Sequence, residues 1–289
     1  MKKYALVVGI GVYDDPEITN LSFAAQDAQD MAACLRHVCG FEDVRLLVSD
    51  GDLEPDHVNI VDALHNIAPL TSKDDLFLLY FAGHGIQTRA GTYLLASNSR
   101  IRMPELASLS MNLLTDCLGY IEAASRVLIL DACRNDPHQG MGDADNLLTR
   151  EFSRDIIALA KTPVAEVVPA TCVLFSCSEG ERAWEWPDQR HGAFTHYLLE
   201  GIRGAAFDTQ RRLTIQSLGQ YVEEQVRRWS HKTGKPRPQT PWAQQLGSLR
   251  PIVLTDTAPS TQTDKPAPPG EAYIEAAEQG HAWAQTNLG

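Results

Sequence analysis

Four unbroken apolar runs constrain the fold of this chain more than any other feature of its sequence. Their apolar character is continuous and not alternating, which is typical of parallel strands that helices cover on both faces. Segments with apolar residues at helical spacing separate the runs, so strand and helix alternate along the chain. The four runs are YALVVGI (4–10), VRLLVS (44–49), DLFLLYFA (75–82) and RVLILDA (126–132).

Helical segments and two later strands complete this architecture. The first helical segment ends near Gly40, a residue that suits a C-cap. We therefore predict an α/β fold, a three-layer sandwich with a mostly parallel sheet of about six strands flanked by helices. The remaining predicted elements are helices at 22–41, 55–68, 111–124, 147–161, 193–203 and 214–230, and strands at 171–178 and 249–254.

Composition divides the chain after Thr255. Residues 1–255 carry all the predicted elements and form the predicted domain, whereas residues 256–270 are rich in Pro, Ser and Thr and predict a flexible linker. Residues 271–289, EAYIEAAEQGHAWAQTNLG, resemble the start of a SEL-one-like repeat, a relative of the tetratricopeptide repeat. Such a repeat needs neighbours to bury its apolar face. The resemblance therefore implies a longer parent protein and a protein partner that docks nearby.

The net charge and the cysteines indicate which partners and which compartment to expect. The net charge is −12, which disfavours binding to nucleic acid or to an anionic membrane. No apolar run reaches the roughly 18 residues that span a bilayer. The apolar start of the chain meets Asp14 and Asp15 without a cleavage site, so it predicts a strand and not a signal peptide. Six scattered cysteines suggest reduced thiols, and we expect a cytoplasmic protein.

A histidine and a cysteine directly follow two of the predicted buried strands. His84 comes after the third run and Cys133 after the fourth. The carboxyl ends of parallel strands share one edge of a sheet, where sites are built, and an imidazole there can activate a thiol. We interpret Gly83 as the site of a sharp turn. Gly85 would leave its N–H open, so that it forms an oxyanion hole with the N–H of Cys133.

The two motifs together resemble the caspase–metacaspase cysteine proteases. The histidine of FAGHG is followed 49 residues later, from 84 to 133, by the cysteine of LILDACRND. The caspase signature likewise has its histidine about 50 residues before the cysteine. The resemblance covers residues 4 to about 254 and departs from that signature at Asp131 and Asn135. It implies a caspase-like fold and a Cys133–His84 dyad that cleaves a protein or peptide substrate.

The same resemblance points to residues that select the substrate. SCSEGERAWEW (176–186) resembles the caspase segment that leads into the primary specificity pocket, so Ser176 and Trp184 are implied to bind substrate. In animal caspases an Arg after the Trp binds the substrate's Asp, whereas this chain has Glu185. An acidic residue pairs with Arg or Lys and repels Asp, and Asp131 would form a second acidic wall. We predict cleavage after Arg or Lys; the alternative is that Glu185 is a solvated charge.

Residues 134–170 occupy the position where caspases carry the linker between large and small subunits. If the enzyme prefers basic residues, Arg150, Arg154 and Lys161 are candidate points of self-cleavage. The alternative is an uncut surface helix whose charges are solvated.

No motif requires a cofactor, and we predict no metal site. Five acidic residues near the N-terminus could bind calcium, which some metacaspases need, but they lack EF-hand spacing and a solvated face is the simpler interpretation. These residues are Asp14, Asp15, Glu17, Asp27 and Asp30.

The sequence thus predicts a cysteine endopeptidase that acts in regulated proteolysis, in stress, cell death or defence signalling by analogy of fold. Two alternatives belong to other classes. One is a catalytically silent caspase-like interaction module. The other is a nucleotide-binding α/β protein, which is disfavoured because VVGIGVYDD lacks the third glycine of the dinucleotide motif.

Overall fold

The computed structural model describes residues 1–134, 147–164 and 169–257, with only the backbone at residues 133 and 134. Of the predicted inter-subunit segment, residues 135–146 and 165–168 lie outside the described residues. So do the predicted repeat at 271–289 and all but the first two residues of the predicted linker.

Strands and helices follow one another along the described residues in the alternation that the apolar runs indicate. The strands are β1 (Lys3–Gly9), β2 (Asp43–Val48), β3 (Leu76–Thr88), β4 (Gly91–Leu95), β5 (Ser108–Ser110), β6 (Ser125–Arg134), β7 (Ala170–Phe175), β8 (Glu185–Trp186), β9 (His191–Gly192), β10 (Leu213–Thr214), β11 (Trp242–Leu246) and β12 (Val253–Thr255). The helices are α1 (Ala24–His37), α2 (His57–Ile67), α3 (Met111–Gly119), α4 (Arg150–Ala160), α5 (Ala193–Glu200) and α6 (Ile215–Lys232).

The central sheet has the strand order β11-β7-β6-β3-β1-β2. Strands β7, β6, β3, β1 and β2 are parallel, and β11 closes one edge in the antiparallel direction. Strand β4 pairs with the far end of β3, and β5 pairs with β4. Two short ribbons, β8–β9 and β10–β12, lie apart from this sheet. The site predicted at the carboxyl ends of β3 and β6 therefore falls near the middle of the sheet.

Side chains along β1 indicate how the sheet is covered. Leu6 and Val8 belong to the core that includes residues of α2, α3 and α4, whereas Ala5 and Val7 belong to the core with α1, α5 and α6. All four are fully buried. The apolar runs are continuous because both faces of each strand are buried. These layers confirm the predicted three-layer α/β sandwich.

Short polar residues and a glycine fix where the helices begin and end. The side chain of Asp56 accepts a hydrogen bond from the N–H of Asn59 at 2.7 Å, and Thr149 accepts one from Phe152 at 3.2 Å. Such caps satisfy backbone donors that the first turn leaves free. Gly40 has a left-handed backbone (φ 67°), which lets the chain turn from α1 toward β2, as the sequence predicts.

Strand β3 corrects one prediction from the sequence. The strand was expected to end before a turn at Gly83, but it continues to Thr88, and neither Gly83 nor Gly85 has a positive φ. The extension pairs with β6 on one side and with β4 on the other. The two glycines provide space and not a turn. A Cβ at Gly83 would lie 3.1 Å from the hydroxyl of Tyr13, and one at Gly85 would overlap the ring of Phe152.

The edge of the sheet corrects a second prediction. The expected last strand, 249–254, does not join the main sheet; β12 lies there instead and pairs with β10. The edge position belongs to β11, whose sequence WAQQL is only partly buried. Polar residues are tolerated on an edge strand because one side of it has no partner strand. This polarity explains why β11 does not stand out in the sequence as an apolar run.

Candidate active site

His84 and Cys133 lie next to each other in the sheet. The parallel register of β3 and β6 pairs His84 with Cys133 and Gly83 with Ala132. Neighbouring strands are about 4.8 Å apart, so the two backbones are adjacent at the same edge. The two strands are therefore neighbours, which a pair formed by His84 and Cys133 requires. The side chain of Cys133 lies outside the described residues.

The surroundings of His84 fix its tautomer and its charge. Its Nε2 lies 2.7 Å from the carbonyl oxygen of Thr19. A carbonyl can only accept, so Nε2 carries the hydrogen and Nδ1 keeps the lone pair. Burial lowers the pKa of His84 to about 4, although the bond to Thr19 opposes this shift. The imidazole is therefore neutral at physiological pH, with Nδ1 free to accept a proton.

Tyr13 contacts both the backbone and the ring of His84. Its hydroxyl accepts a hydrogen bond from the backbone N–H of His84 at 2.9 Å, and the two rings lie 5.2 Å apart between centroids. Burial raises the pKa of Tyr13, so the hydroxyl stays protonated. The contact holds the strand at the point where the imidazole leaves it. Gly83 is required beside it because a Cβ would crowd the same hydroxyl.

A cleft of about 350 Å³ opens beside His84. Four of the predicted site residues line it together: His84, Asp131, Trp184 and Glu185. The rest of its lining comes from the loop before α1, from α1 itself, from β3, from the segment before β8 and from β9. These residues are Thr19, Asn20, Leu21, Ala24, Asp27, Ala82, Gly83, Arg182, Ala183 and Gly192.

Three carboxyl-bearing residues give this cleft its acidic character. Asp27 comes from α1, Asp131 from β6 and Glu185 from β8. A Cβ built on Gly192 would lie 3.1 Å from both Asp131 Oδ2 and Asp27 Oδ2, so these oxygens are separated by no more than twice that distance. A side chain at position 192 would crowd both acids, because its Cβ would lie closer to their oxygens than most Cβ contacts do.

The environment of Asp131 changes its protonation. Burial, and then the nearby charge of Asp27, raise the pKa of Asp131 to about 7. The hydroxyl of Thr195 donates to Asp131 Oδ2 at 2.9 Å and favours the ionised form. Ser176 is fully buried and does not line the cleft, so the structure does not place it where the sequence expected it to bind substrate.

Trp184 and Glu185 are held by backbone contacts. The indole N–H of Trp184 donates to the carbonyl of Arg237 at 3.1 Å, and Arg182 and Lys235 place cations 4.9 and 5.1 Å from its ring. Glu185 accepts a hydrogen bond from the N–H of Ser22 at 2.7 Å. That bond ties β8 to the loop before α1, and both segments line the cleft.

Asp27 is the site residue that the sequence treated as something else. It was grouped with four other acids as a calcium candidate or a solvated face. In the structure it is 3% exposed and lines the cleft. A signal was present, because Ala24, Ala28 and Met31 form the buried stripe of α1 and Asp27 falls on the same stripe. A carboxylate at such a position needs a specific partner or a function.

The other acids of that group lie in different surroundings. Asp15 accepts hydrogen bonds from the N–H groups of Glu17 and Ile101, and Glu17 pairs with Arg102. Asp30 faces His191. Within the part of the chain that the structure describes, no group of three or more His, Cys, Asp or Glu side chains is arranged to hold a metal ion.

The candidate self-cleavage points lie on a packed helix. Arg150 and Arg154 belong to α4, whose residues Phe152 and Ile156 are fully buried against the sheet, and Lys161 follows its last turn. This confirms the short amphipathic helix that the sequence predicts. A protease binds its substrate in an extended form, so cleavage at these residues requires that the helix unwinds.

The end of α4 is fastened to the core. The fully buried Arg126 donates to the carbonyl of Thr162 at 3.0 Å, and to the carbonyls of Leu118 and Ile121 at 2.6 and 2.8 Å. Thr162 also donates its hydroxyl to Leu159 at 2.6 Å. The bond between Lys161 and Thr162 is thus part of an ordered turn.

The fold and the site together define a class of protein: an α/β sandwich with a His and a Cys in register on neighbouring strands, beside an acidic cleft, is a caspase-like cysteine peptidase domain. Residues 2–250 match the caspase domain family, and the chain belongs to that family. No helix among the described residues is both long and apolar enough to cross a membrane.

Individual proteins agree with this assignment. Metacaspase III c of Phaeodactylum tricornutum is 34% identical over 88 residues, which is 29% of this chain and 26% of that relative. Protein GSU0716 from Geobacter sulfurreducens has a similar structure, with a TM-score of 0.61, 21% identity, and coverage of 86% of this chain and 95% of that chain. Caspase-1 from Spodoptera frugiperda gives a TM-score of 0.55 and 15% identity, over 90% of this chain and 91% of that chain. Both structural likenesses confirm the fold.

Proposed function

We propose that the chain is an active cysteine endopeptidase in which His84 is the general base for the thiol of Cys133. The observation that carries this proposal is the hydrogen bond from His84 Nε2 to the carbonyl of Thr19, because it leaves Nδ1 as the proton acceptor. A neutral imidazole is the form that takes a proton, and burial keeps His84 neutral at physiological pH.

The reaction then proceeds in two halves. Nδ1 of His84 takes the thiol proton, and the thiolate of Cys133 attacks the scissile carbonyl carbon. The N–H groups of Gly85 and Cys133 are proposed to hold the oxyanion. The tetrahedral intermediate collapses as the imidazolium gives its proton to the leaving amine. Water, activated by the neutral imidazole, hydrolyses the thioester and restores the thiol.

The acidic cleft supports a preference for Arg or Lys at P1. Asp27, Asp131 and Glu185 line the space beside His84, and a guanidinium or ammonium group entering it would meet at least two carboxyl groups. A charge-assisted pair in such a site is stronger than a neutral hydrogen bond, and an aspartate side chain would be repelled. Asp27 thereby joins Glu185 and Asp131 as a proposed specificity residue.

We propose further that the domain works as a single uncut chain. The stretches 135–146 and 165–168 contain neither Lys nor Arg. The basic residues between 134 and 170 are Arg134, which lies on β6, and the three on or after α4. A protease that requires a basic P1 residue thus finds each of these in ordered structure. Self-processing at Arg150, Arg154 or Lys161 would depend on unfolding of α4.

The role of the C-terminal segment is also a proposal. The predicted repeat at 271–289 would supply a docking site for a protein partner, and the protease would then act in regulated proteolysis. Such a tail brings a substrate to the enzyme by raising its local concentration.

One experiment tests the enzyme and its specificity together. Peptides that end in Arg, Lys or Asp before a reporter group are incubated with the protein, with Cys133→Ala and with His84→Ala. We expect turnover of the Arg and Lys peptides by the unmodified protein alone. Cys117→Ala is the matched control, because the Cys117 thiol also lies near an imidazole, 3.9 Å from His65 Nε2, but does not line the cleft. It should keep full activity.

The possible results separate the hypotheses. Turnover of no peptide would favour the catalytically silent interaction module. Turnover of the Asp peptide alone would leave the enzyme in place and refute the acidic pocket. Mass spectrometry of the active protein should give one intact chain.

A further inference from the structure

We propose that His191 is a positioning residue that keeps the Asp27 carboxylate ionised and directed into the cleft, and so sets how strongly the cleft binds a basic side chain. The proposal rests on the proposed function, because it concerns the same cleft. It adds a residue that lies outside the catalytic pair and does not line the cleft itself.

The first observation is that both nitrogens of the His191 ring face carboxylates. Nδ1 lies 2.6 Å from Asp27 Oδ1 and Nε2 lies 3.3 Å from Asp30 Oδ2. The side chain of His191 is 13% exposed and that of Asp27 is 4% exposed. The contact with Asp27 is therefore sheltered from water, which strengthens it relative to a surface ion pair.

These two contacts need one more proton than a neutral imidazole and two ionised carboxylates supply. A neutral imidazole has one N–H donor and one acceptor nitrogen, and an ionised carboxylate can only accept. With both carboxylates ionised, one ring nitrogen of a neutral His191 would turn its lone pair toward an oxygen. The arrangement is satisfied when one further proton lies between the ring and Asp27, and an imidazolium between two carboxylates would stabilise the charge on each.

A second observation connects this contact to the cleft. The N–H of Gly192, the next residue, donates to Asp27 Oδ2 at 3.0 Å. Asp27 thus accepts from the ring of His191 with one oxygen and from the backbone of β9 with the other. Gly192 lines the cleft and is also the residue whose position between Asp27 and Asp131 leaves no room for a side chain.

A third observation is that the β8–β9 ribbon, which contains His191, also carries a proposed specificity residue. In the β8–β9 ribbon Glu185 pairs with Gly192 and Trp186 pairs with His191. The contact of His191 with α1 therefore fixes the ribbon from which Glu185 projects. Loss of the imidazole would affect two of the three proposed specificity acids, one directly and one through the backbone.

Other titratable groups also face this part of the molecule. Burial raises the pKa of Asp27, and the contacts with His191 and Gly192 oppose that shift. Without His191 the charge of Asp30 would still act on Asp27, and Asp27 would keep its proton to a higher pH. The other titratable groups near Asp27 and His191 are Asp30 on α1, Tyr80 on β3, Asp131 on β6, Glu185 on β8 and His196 on α5.

The distinguishing consequence is a dependence on pH. If His191 supplies the charge that keeps Asp27 ionised, its removal weakens the binding of a cation most at acidic and neutral pH. At alkaline pH the carboxyl groups ionise without help, and the difference should close. A role in holding the shape of the hairpin alone predicts a loss that is the same at every pH.

Agmatine, which carries the guanidinium of an arginine side chain, is a probe that needs no turnover. Its affinity is measured by calorimetry for the full chain carrying Cys133→Ala, and for the same chain with His191→Gln or His191→Ala added. We expect binding roughly 10-fold weaker for both His191 variants at about pH 6 to 7, and a difference of less than about 2-fold near pH 9. His191→Gln is included because its amide can still donate to Asp27 but carries no charge.

His196→Gln is the matched control. His196 lies 6.3 Å from His191 between ring centroids but stacks on Trp186 and Tyr197 instead of contacting Asp27. It should leave agmatine affinity unchanged at each pH. Equal affinity in all variants, or a loss that does not vary with pH, would overturn the proposal. Turnover of the Arg peptide by the unmodified protein tests the proposed function separately, so the two can fail independently.

Discussion

Replacing Asp131 by Asn is expected to stabilise the fold at neutral and alkaline pH while it weakens binding of a basic substrate. Burial, and then the charge of Asp27, raise the pKa of Asp131 from 3.8 to about 7. Between those two values the folded protein holds a proton that the unfolded chain has released. Stability therefore falls as the pH rises through this range, and stays lower above it.

The size of this effect follows from the shift. One pKa unit corresponds to about 1.4 kcal/mol, so a shift of about three units sets an upper limit of about 4 kcal/mol. An Asn side chain has nearly the same shape, keeps an oxygen that can accept the hydrogen bond of Thr195 and carries no charge to bury. We expect Asp131→Asn to equal the unmodified protein near pH 4, and to exceed it by about 1 to 4 kcal/mol near pH 8.

Urea denaturation at a series of pH values measures the difference directly. Asp188→Asn is the control, because Asp188 is exposed on the loop of the β8–β9 ribbon and should show no such trend. The reasoning is refuted if the stability difference is the same at every pH, or if Asp131→Asn is the less stable protein at pH 8. Steady-state kinetics on the same variant should show a higher KM for an Arg peptide, because one carboxylate is lost from the cleft.

Three further predictions concern the frame of the site. Gly85→Ala should cost about 1 to 3 kcal/mol in chemical denaturation, because its Cβ would overlap the ring of Phe152, whereas unchanged stability would show that the ring has room to move. Arg126→Ala should cost about 3 to 5 kcal/mol, because it removes the donor of three buried carbonyls; a loss below about 1 kcal/mol would contradict that role. Prolonged incubation of active protein should leave the bond after Lys161 intact by mass spectrometry, and a fragment ending there would contradict the single-chain proposal.

Much of the fold was predictable because the sheet is buried on both faces. Strands β1, β2, β3, β6 and β7 each contain an apolar run, and an apolar run of that length needs two covering layers. Strand β11 was not predicted, because an edge strand needs only one partner strand and one buried face. Its sequence WAQQL has too few apolar residues to be recognised as a strand. The far half of β3 was not predicted, because its glycines suggest a turn. In the structure, Gly83 and Gly85 instead leave space for the side chains of Tyr13 and Phe152.

The candidate site divides in a similar way. His84 and Asp131 could be predicted because each is close to the end of a recognisable strand, and Glu185 because of its place after Trp184. Asp27 could not be assigned, since a carboxylate on a helix is ordinarily solvated and its neighbours in space come from β6 and β9, far away along the chain. The partner of its charge, His191, lies 164 residues further on, a separation at which sequence spacing predicts nothing.

The carbonyl of Thr19 belongs to a loop that both lines the cleft and contacts the imidazole of His84. The loop that holds this carbonyl against His84 also contributes Asn20 and Leu21 to the wall that a substrate would touch. Displacing the loop would release Nε2, and the ring could then carry its hydrogen on Nδ1, where it would have no lone pair for the thiol. The same short stretch of backbone therefore lines the cleft and determines which nitrogen of His84 keeps its lone pair.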